Sequence, residues 1–160
     1  GMAILQFGFD EFEDNPHKPQ NISEDKVVYT GTHDNDTTKG WFNSLEDHVK
    51  NYVLDKLELQ EHIHRLQQDS DACGNEQDTA DLVGDLVVDT LIGNAMSSRA
   101  NICIIPMQDC LHLGSEARMN LPGTVTDNWK WKFQWQQHDS SLVKKMRQTL
   151  ENTQRLHHQD

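Results

Sequence analysis

Three short apolar runs, AILQFGF (residues 3–9), KVVYTG (26–31) and NICIIPM (101–107), constrain this chain more than any other feature. Each is short, rich in β-branched or aromatic residues and bounded by Asp, Asn, Pro or Gly, so each reads as a buried strand. The stretch between the first two, DEFEDNPHKPQNISED, is polar and carries Pro16 and Pro19, which makes it a surface loop with little helix. From Ser44, an N-cap candidate, Leu45, Val49, Tyr52, Val53 and Leu57 recur at the helical period. After a polar break, QQDSDACGNEQD, a second helix is expected over TADLVGDLVVDTLIGNAMSS, with Thr79 as its cap. Leu82, Val83, Leu86, Val87, Thr90 and Leu91 would lie on its buried side. A final amphipathic helix spans 139–158, with Ser140 or Ser141 near its cap. This order is α/β and implies parallel strands joined by right-handed crossovers. Three strands leave open edges and unpaired backbone groups, so the chain reads as part of something larger or as something that pairs with itself.

Length and charge narrow the partners. A chain of 160 residues is the size of one ordinary domain, and a net charge of -12 argues against nucleic acid, whose phosphates call for clustered Lys and Arg. No apolar run approaches the ~18 residues needed to span a bilayer. The start GMAILQFGF lacks the basic flank and cleavage site of a signal peptide, so no membrane and a cytoplasmic location are expected. Cys73, Cys103 and Cys110 form no CxxC pair and read as reduced thiols. His62 and His64 are two apart inside a helical pattern with no HExxH, so they read as solvated positions and not as metal ligands.

In α/β proteins reactive groups collect on loops at the carboxyl ends of strands. THDND follows VVY at one such end, and PMQDCLHLGSEARMNLPGT follows NICII at the next. The polar residues able to meet are His33, Asp34, Asn35 and Asp36 from the first loop, and Gln108, Asp109, Glu116, Arg118 and Asn120 from the second. The plainest role for the DND triplet is a turn that caps a following helix, because Asp and Asn bond readily to nearby amides. A calcium loop needs a glutamate at its twelfth position; counted from Asp34 that residue is Leu45, and the reading fails. Glu116 and Arg118, two apart, share a face if the segment is extended and would pair to brace the loop. Trp129 and Trp131 suit either sugar stacking or packing, with packing favoured.

YTGTHDNDTTKGWF together with PMQDCLHLGSEARMNLPGTVTDNWKWKF resembles the C-terminal part of the 4-alpha-glucanotransferases, also called amylomaltase or disproportionating enzyme, of glycoside hydrolase family seventy-seven. AILQFGFDEFEDNPHKPQN is similar to the segment that precedes these motifs in that family, and the likeness covers residues 2 to about 135. It implies that 1–160 is a single partial TIM-barrel domain: the C-terminal part, about three βα units, of a (β/α)8 barrel, completed by self-association. AILQFGF, KVVYTG and NICIIPM would be barrel strands six to eight. It further implies that Asp34 is a transition-state-stabilising carboxylate and that His33, Asp34 and Asn120 bind glucan. Glu116, Arg118, Trp129 and Trp131 would be structural support. The nucleophile and the acid/base would lie on strands four and five, which this sequence lacks. No metal or organic cofactor is implied. The partner would be a maltodextrin or starch-derived α-1,4-glucan, together with a second copy or a missing N-terminal barrel half. The rival expectation is a non-catalytic maltodextrin-binding module or one subunit of a split enzyme. Lys132, where the family usually shows Arg, and His112, where a smaller residue is common, depart from the pattern.

Overall fold

The computed structural model describes residues 1–70, 76–137 and 140–156. Its centre is a parallel sheet of three strands, β1 (Met2–Ile4), β2 (Val27–Tyr29) and β3 (Ile102–Ile104), in the order β1-β2-β3. Ala3 pairs with Val28 and Val28 with Cys103, so the three sequence runs are neighbours as their α/β order implies. Each strand is shorter than its apolar run. Leu5–Phe7 leaves β1 as a single 3-10 turn, and after Ile104 the chain reaches Pro106, which cannot donate to a ladder.

Six helices are described: α1 (Thr38–Ser44), α2 (Asp47–Lys56), α3 (Gln60–Ser70), α4 (Glu76–Ser97), α5 (Met107–Cys110) and α6 (Ser140–Asn152). The link from β1 to β2 contains only short 3-10 turns, as its two prolines require, and α1 to α4 fill the link from β2 to β3. Ser44 ends α1 instead of capping the next helix; Glu46 stands at the cap of α2. Thr79 lies inside α4, which is already helical from Glu76. The ends of the expected polar break belong to α3 and α4, and Cys73 lies outside the described residues. The terminal helix stops at Asn152, short of the sequence pattern: Gln154 takes φ 57°, and Arg155 turns back to donate to the carbonyls of Met96, Ser98 and Ala100. His157 and His158 lie outside the described residues.

The helix α4 organises the interior because it is apolar on two sides. Val87, Leu91 and Ala95 join Ala3, Val28 and Phe42 in the main core, whereas Val88, Ile92 and Met96 meet Met146 and Leu150 of α6. Leu82, which the period assigns to the buried side, is 52% exposed. Charges reinforce the packing. Lys39 of α1 reaches Asp81 and Asp85 of α4 at 2.7 Å each, and His112 Nε2 sits 2.8 Å from Asp89, whose other oxygen accepts from Lys145 of α6 at 2.5 Å.

Burial alone would raise the Asp89 carboxyl, but hydrogen bonds from His112 and Lys145 outweigh it and hold the group below the ordinary aspartate value. A carboxyl depressed in the folded state contributes stability above its ordinary value and loses it as pH falls through the folded one. Acidification below the ordinary aspartate range should therefore free α6 from α4, read as faster amide exchange over residues 140–152. Asp89→Asn should free it already at neutral pH and remove the acid step; an unchanged acid step in that variant would assign the effect elsewhere.

One face of the sheet carries Ala3, Val28 and Cys103 and is covered by the core. The other presents Met2 (59% exposed), Ile102 (53%) and Ile104 (45%), apolar side chains of a kind that parallel sheets normally bury. Neither β1 nor β3 has a second strand neighbour in this sheet.

Candidate functional site

The loops leaving the carboxyl ends of β2 and β3 meet over one end of the sheet. They border an open cleft of about 630 Å³ that also reaches the uncovered face at Met2, Tyr29 and Ile104. Four adjacent polar residues in the first loop divide into two groups. Asn35 Oδ1 accepts from the Thr32 amide at 3.0 Å and the Thr32 hydroxyl at 2.8 Å, closing a turn. Asp36 accepts from the Thr37 amide at 2.8 Å and, across the two loops, from the Ser115 hydroxyl at 2.7 Å. Helix α1 follows at once, with Thr37 accepting from the Gly40 amide. Of the turn and cap expected of the DND triplet, Asn35 closes the turn, Asp36 holds the amide of the cap residue, and the cap itself is Thr37. His33 and Asp34 keep exposed side chains, 57% and 53%, at the cleft.

The second loop fixes Asp34. Asn120 Nδ2 donates to Asp34 Oδ1 at 2.6 Å, and Arg118 donates through Nη2 to the Asp34 carbonyl at 2.9 Å and through Nε to the Asn120 carbonyl at 2.9 Å. His33 Nε2 lies 3.4 Å from Asp34 Oδ1. Trp129 packs against that imidazole, ring centroids 5.2 Å apart at 38°. Its own backbone has φ 61°, rare for a bulky residue, and its amide donates to the Met119 carbonyl at 2.6 Å. Trp129 remains 57% exposed, Trp131 is half-buried, and neither is among the residues that line the cleft.

The Glu116–Arg118 pair does not form. Ser115–Ala117 is a 3-10 turn, not an extended segment; Glu116 turns back onto the Gly114 amide at 2.9 Å, and Arg118 braces the loop through carbonyls. Gly40 permits this meeting of loops, since a Cβ there would overlap the Ser115 hydroxyl. Three further residues lie beneath the site. Gln6, inside the first apolar run, is buried and donates to the Asp36 carbonyl at 3.1 Å. Thr30 and Thr38 are fully buried at the two ends of the first loop. A lone amide in an apolar run and two threonines among many polar residues form no pattern that singles them out in the sequence.

The arrangement offers one open carboxylate, an imidazole, an amide and an aromatic wall, a set that suits a sugar hydroxyl array. It offers no thiol nucleophile: burial pushes Cys110 up to about 11 and raises Cys103 as well. Among the described residues no group of three or more His, Cys, Asp or Glu is placed to hold a metal, and no helix is long and apolar enough to cross a membrane.

The family of 4-alpha-glucanotransferases, glycoside hydrolase family 77, matches residues 1–138. The chloroplastic/amyloplastic 4-alpha-glucanotransferase of Solanum tuberosum is 41% identical over 133 residues, which are 83% of this chain and 19% of that protein. The 4-alpha-glucanotransferase of Thermus thermophilus is 36% identical over 158 residues, 98% of this chain and 28% of that protein. An amylomaltase from Streptococcus agalactiae, solved in complex with acarbose, superposes with a TM-score of 0.75 at 24% identity over 96% of this chain and 27% of that one, a likeness of fold. This chain spans between 19% and 28% of the lengths of these relatives. With its two diagnostic loops and its parallel sheet inside the matched region, the chain belongs to the 4-alpha-glucanotransferase family.

Proposed function

We propose that this chain is the C-terminal part of a glucan-transferring (β/α)8 barrel, with β1, β2 and β3 as barrel strands six to eight, and that it supplies the ring-holding half of the active site. In the reaction, an α-1,4 bond of one maltodextrin is broken and the freed segment passes to the 4-hydroxyl of another. Asp34 bonds sugar hydroxyls and favours the flattened, positively charged ring; His33 and Asn120 hold neighbouring hydroxyls. A retaining transfer also needs a nucleophile and an acid/base roughly 5 Å apart, and these come from strands outside this sequence.

The observation that carries the reading is the 2.6 Å bond from Asn120 to Asp34, beside His33, which joins the loops at the carboxyl ends of two adjacent parallel strands. The acarbose-bound relative supports a carbohydrate ligand. Calorimetric titration with maltotriose and longer maltodextrins tests it; heats of binding that saturate are expected, and their absence at millimolar sugar would refute it.

The open sheet face favours a second element of this proposal: the uncovered side, with Met2, Ile102 and Ile104, belongs inside the barrel and is covered by the remaining strands or by another copy. In isolation the chain is expected to self-associate. Light scattering that shows a compact monomer at every concentration would sink this expectation.

A further inference from the structure

We propose that Asp109 is the positioning residue of the His33–Asp34 loop: a single buried carboxylate grips that loop at both of its ends and sets where its two exposed side chains stand. The proposal rests on the sugar-holding reading of His33 and Asp34 given above. Asp109 sits in α5, just after β3, and is 1% exposed. The Thr30 hydroxyl donates to its Oδ2 at 2.5 Å, the Thr38 hydroxyl donates to the same oxygen at 2.7 Å, and the Thr38 amide donates to Oδ1 at 2.7 Å. Thr30 and Thr38 are themselves fully buried. Residues 31–37 are the whole of the chain between these two anchors.

The electrostatics set Asp109 apart from the acids of α4. Asp81, Asp85 and Asp89 each meet a lysine, and Asp85 and Asp89 also flank His112. Among the described residues no lysine or arginine pairs with Asp109, and burial raises its carboxyl above the ordinary value against the three hydrogen bonds that favour the charge. A buried carboxylate without a lysine or arginine partner is a costly way to join two threonines, and a neutral pair would serve packing as well. What the carboxylate adds is two oxygens able to accept from both ends of a loop at once, with charge-assisted bonds in a low-dielectric setting. The remaining ties of the loop, from Ser115, Arg118 and Asn120, come from the same segment after β3 but lie nearer the surface. The ring-holding side chains on one strand's loop are thereby placed by the next strand's loop.

Asp109→Asn keeps the shape and removes the charge; Thr30→Val removes one donor and spares the rest, so it decides the matter should the first variant fail to fold. Amide exchange in the ligand-free chain is measured first. We expect residues 31–38 to exchange about tenfold faster or more in Asp109→Asn, the effect of losing one charged hydrogen bond, with a smaller gain in Thr30→Val and no change in α4. Maltotriose affinity should fall with the exchange, and Asp109→Asn should add less than its full effect in an Asp34→Ala background, because Asp34 is one of the two side chains that the loop carries. Unchanged exchange over 31–38 overturns the proposal. So does faster exchange in α4 to the same degree in Thr30→Val, which marks general loosening, or an affinity loss that adds fully to that of Asp34→Ala. A wild-type chain that takes no maltotriose overturns the reading of the site instead, while the exchange measurement still decides the role of Asp109.

Discussion

Asp34→Ala is expected to weaken maltodextrin binding about tenfold or more, since a hydrogen bond to a charged group contributes roughly 1.5 to 3 kcal/mol and about 1.4 kcal/mol is a factor of ten. The carboxylate is exposed at the cleft, and the substitution removes it without leaving a buried group unsatisfied. Its side-chain donor, Asn120, is only half-buried, and the Arg118 bond is to the Asp34 carbonyl, which the variant keeps. Loop position and stability should therefore change little while the sugar contact is lost. Calorimetry with maltotriose checks the affinity and thermal unfolding checks the fold. Equal affinity in the two proteins would move the binding surface away from Asp34, with the exposed indole of Trp129 the next place to look.

Alone, this chain should not convert maltotriose into glucose and longer maltodextrins. The transfer needs protonation of the leaving oxygen and a nucleophile on the opposite face of the anomeric carbon, and each such role contributes on the order of 10² or more. The other acids on the two loops are already committed: Asp36 to Thr37 and Ser115, Asp109 to Thr30 and Thr38, and Glu116 to the Gly114 amide. A second copy brings the same strands and the same acids, so dimerisation does not supply the missing pair. Adding a separately expressed N-terminal barrel half should restore glucose release if the two parts dock. Sustained release by the purified chain, abolished by Asp34→Asn, would require a nucleophile among these 160 residues and end the incomplete-site reading.

Strand positions and helix period were legible in the sequence because both are local signals. The runs around Val28 and Cys103 read as strands from composition, and α4 from its three-and-four spacing, before any contact was known. Their extents were not legible. A strand ends where its neighbour ends, and the pairing of β2 with β1 and β3 covers only three residues on each side. The inward face of α4 was half legible: the period marks one stripe, but α6 packs on a second stripe that belongs to the same helix, and Leu82 falls outside both.

In the candidate site, residue types alone determined that His33, Asp34, Asn35 and Asp36 stand together on a turn after a strand, and that a second polar loop follows β3. Residue types alone do not rank those four; the family resemblance singles out His33 and Asp34 without giving a physical reason. What separates them is contact with residues far along the chain: Ser115, 79 residues on, occupies Asp36, and Asn120, 86 residues on, steadies Asp34 and leaves it open to the cleft. The Glu116–Arg118 pair fails for a related reason, since it presumed an extended backbone and the tertiary packing against α1 winds Ser115–Ala117 into a turn. Hydrophobic period and turn chemistry are written into neighbouring residues and survive in any context. The use made of a polar side chain depends on which donor or acceptor the folded chain brings within 3 Å, and only the tertiary structure decides that.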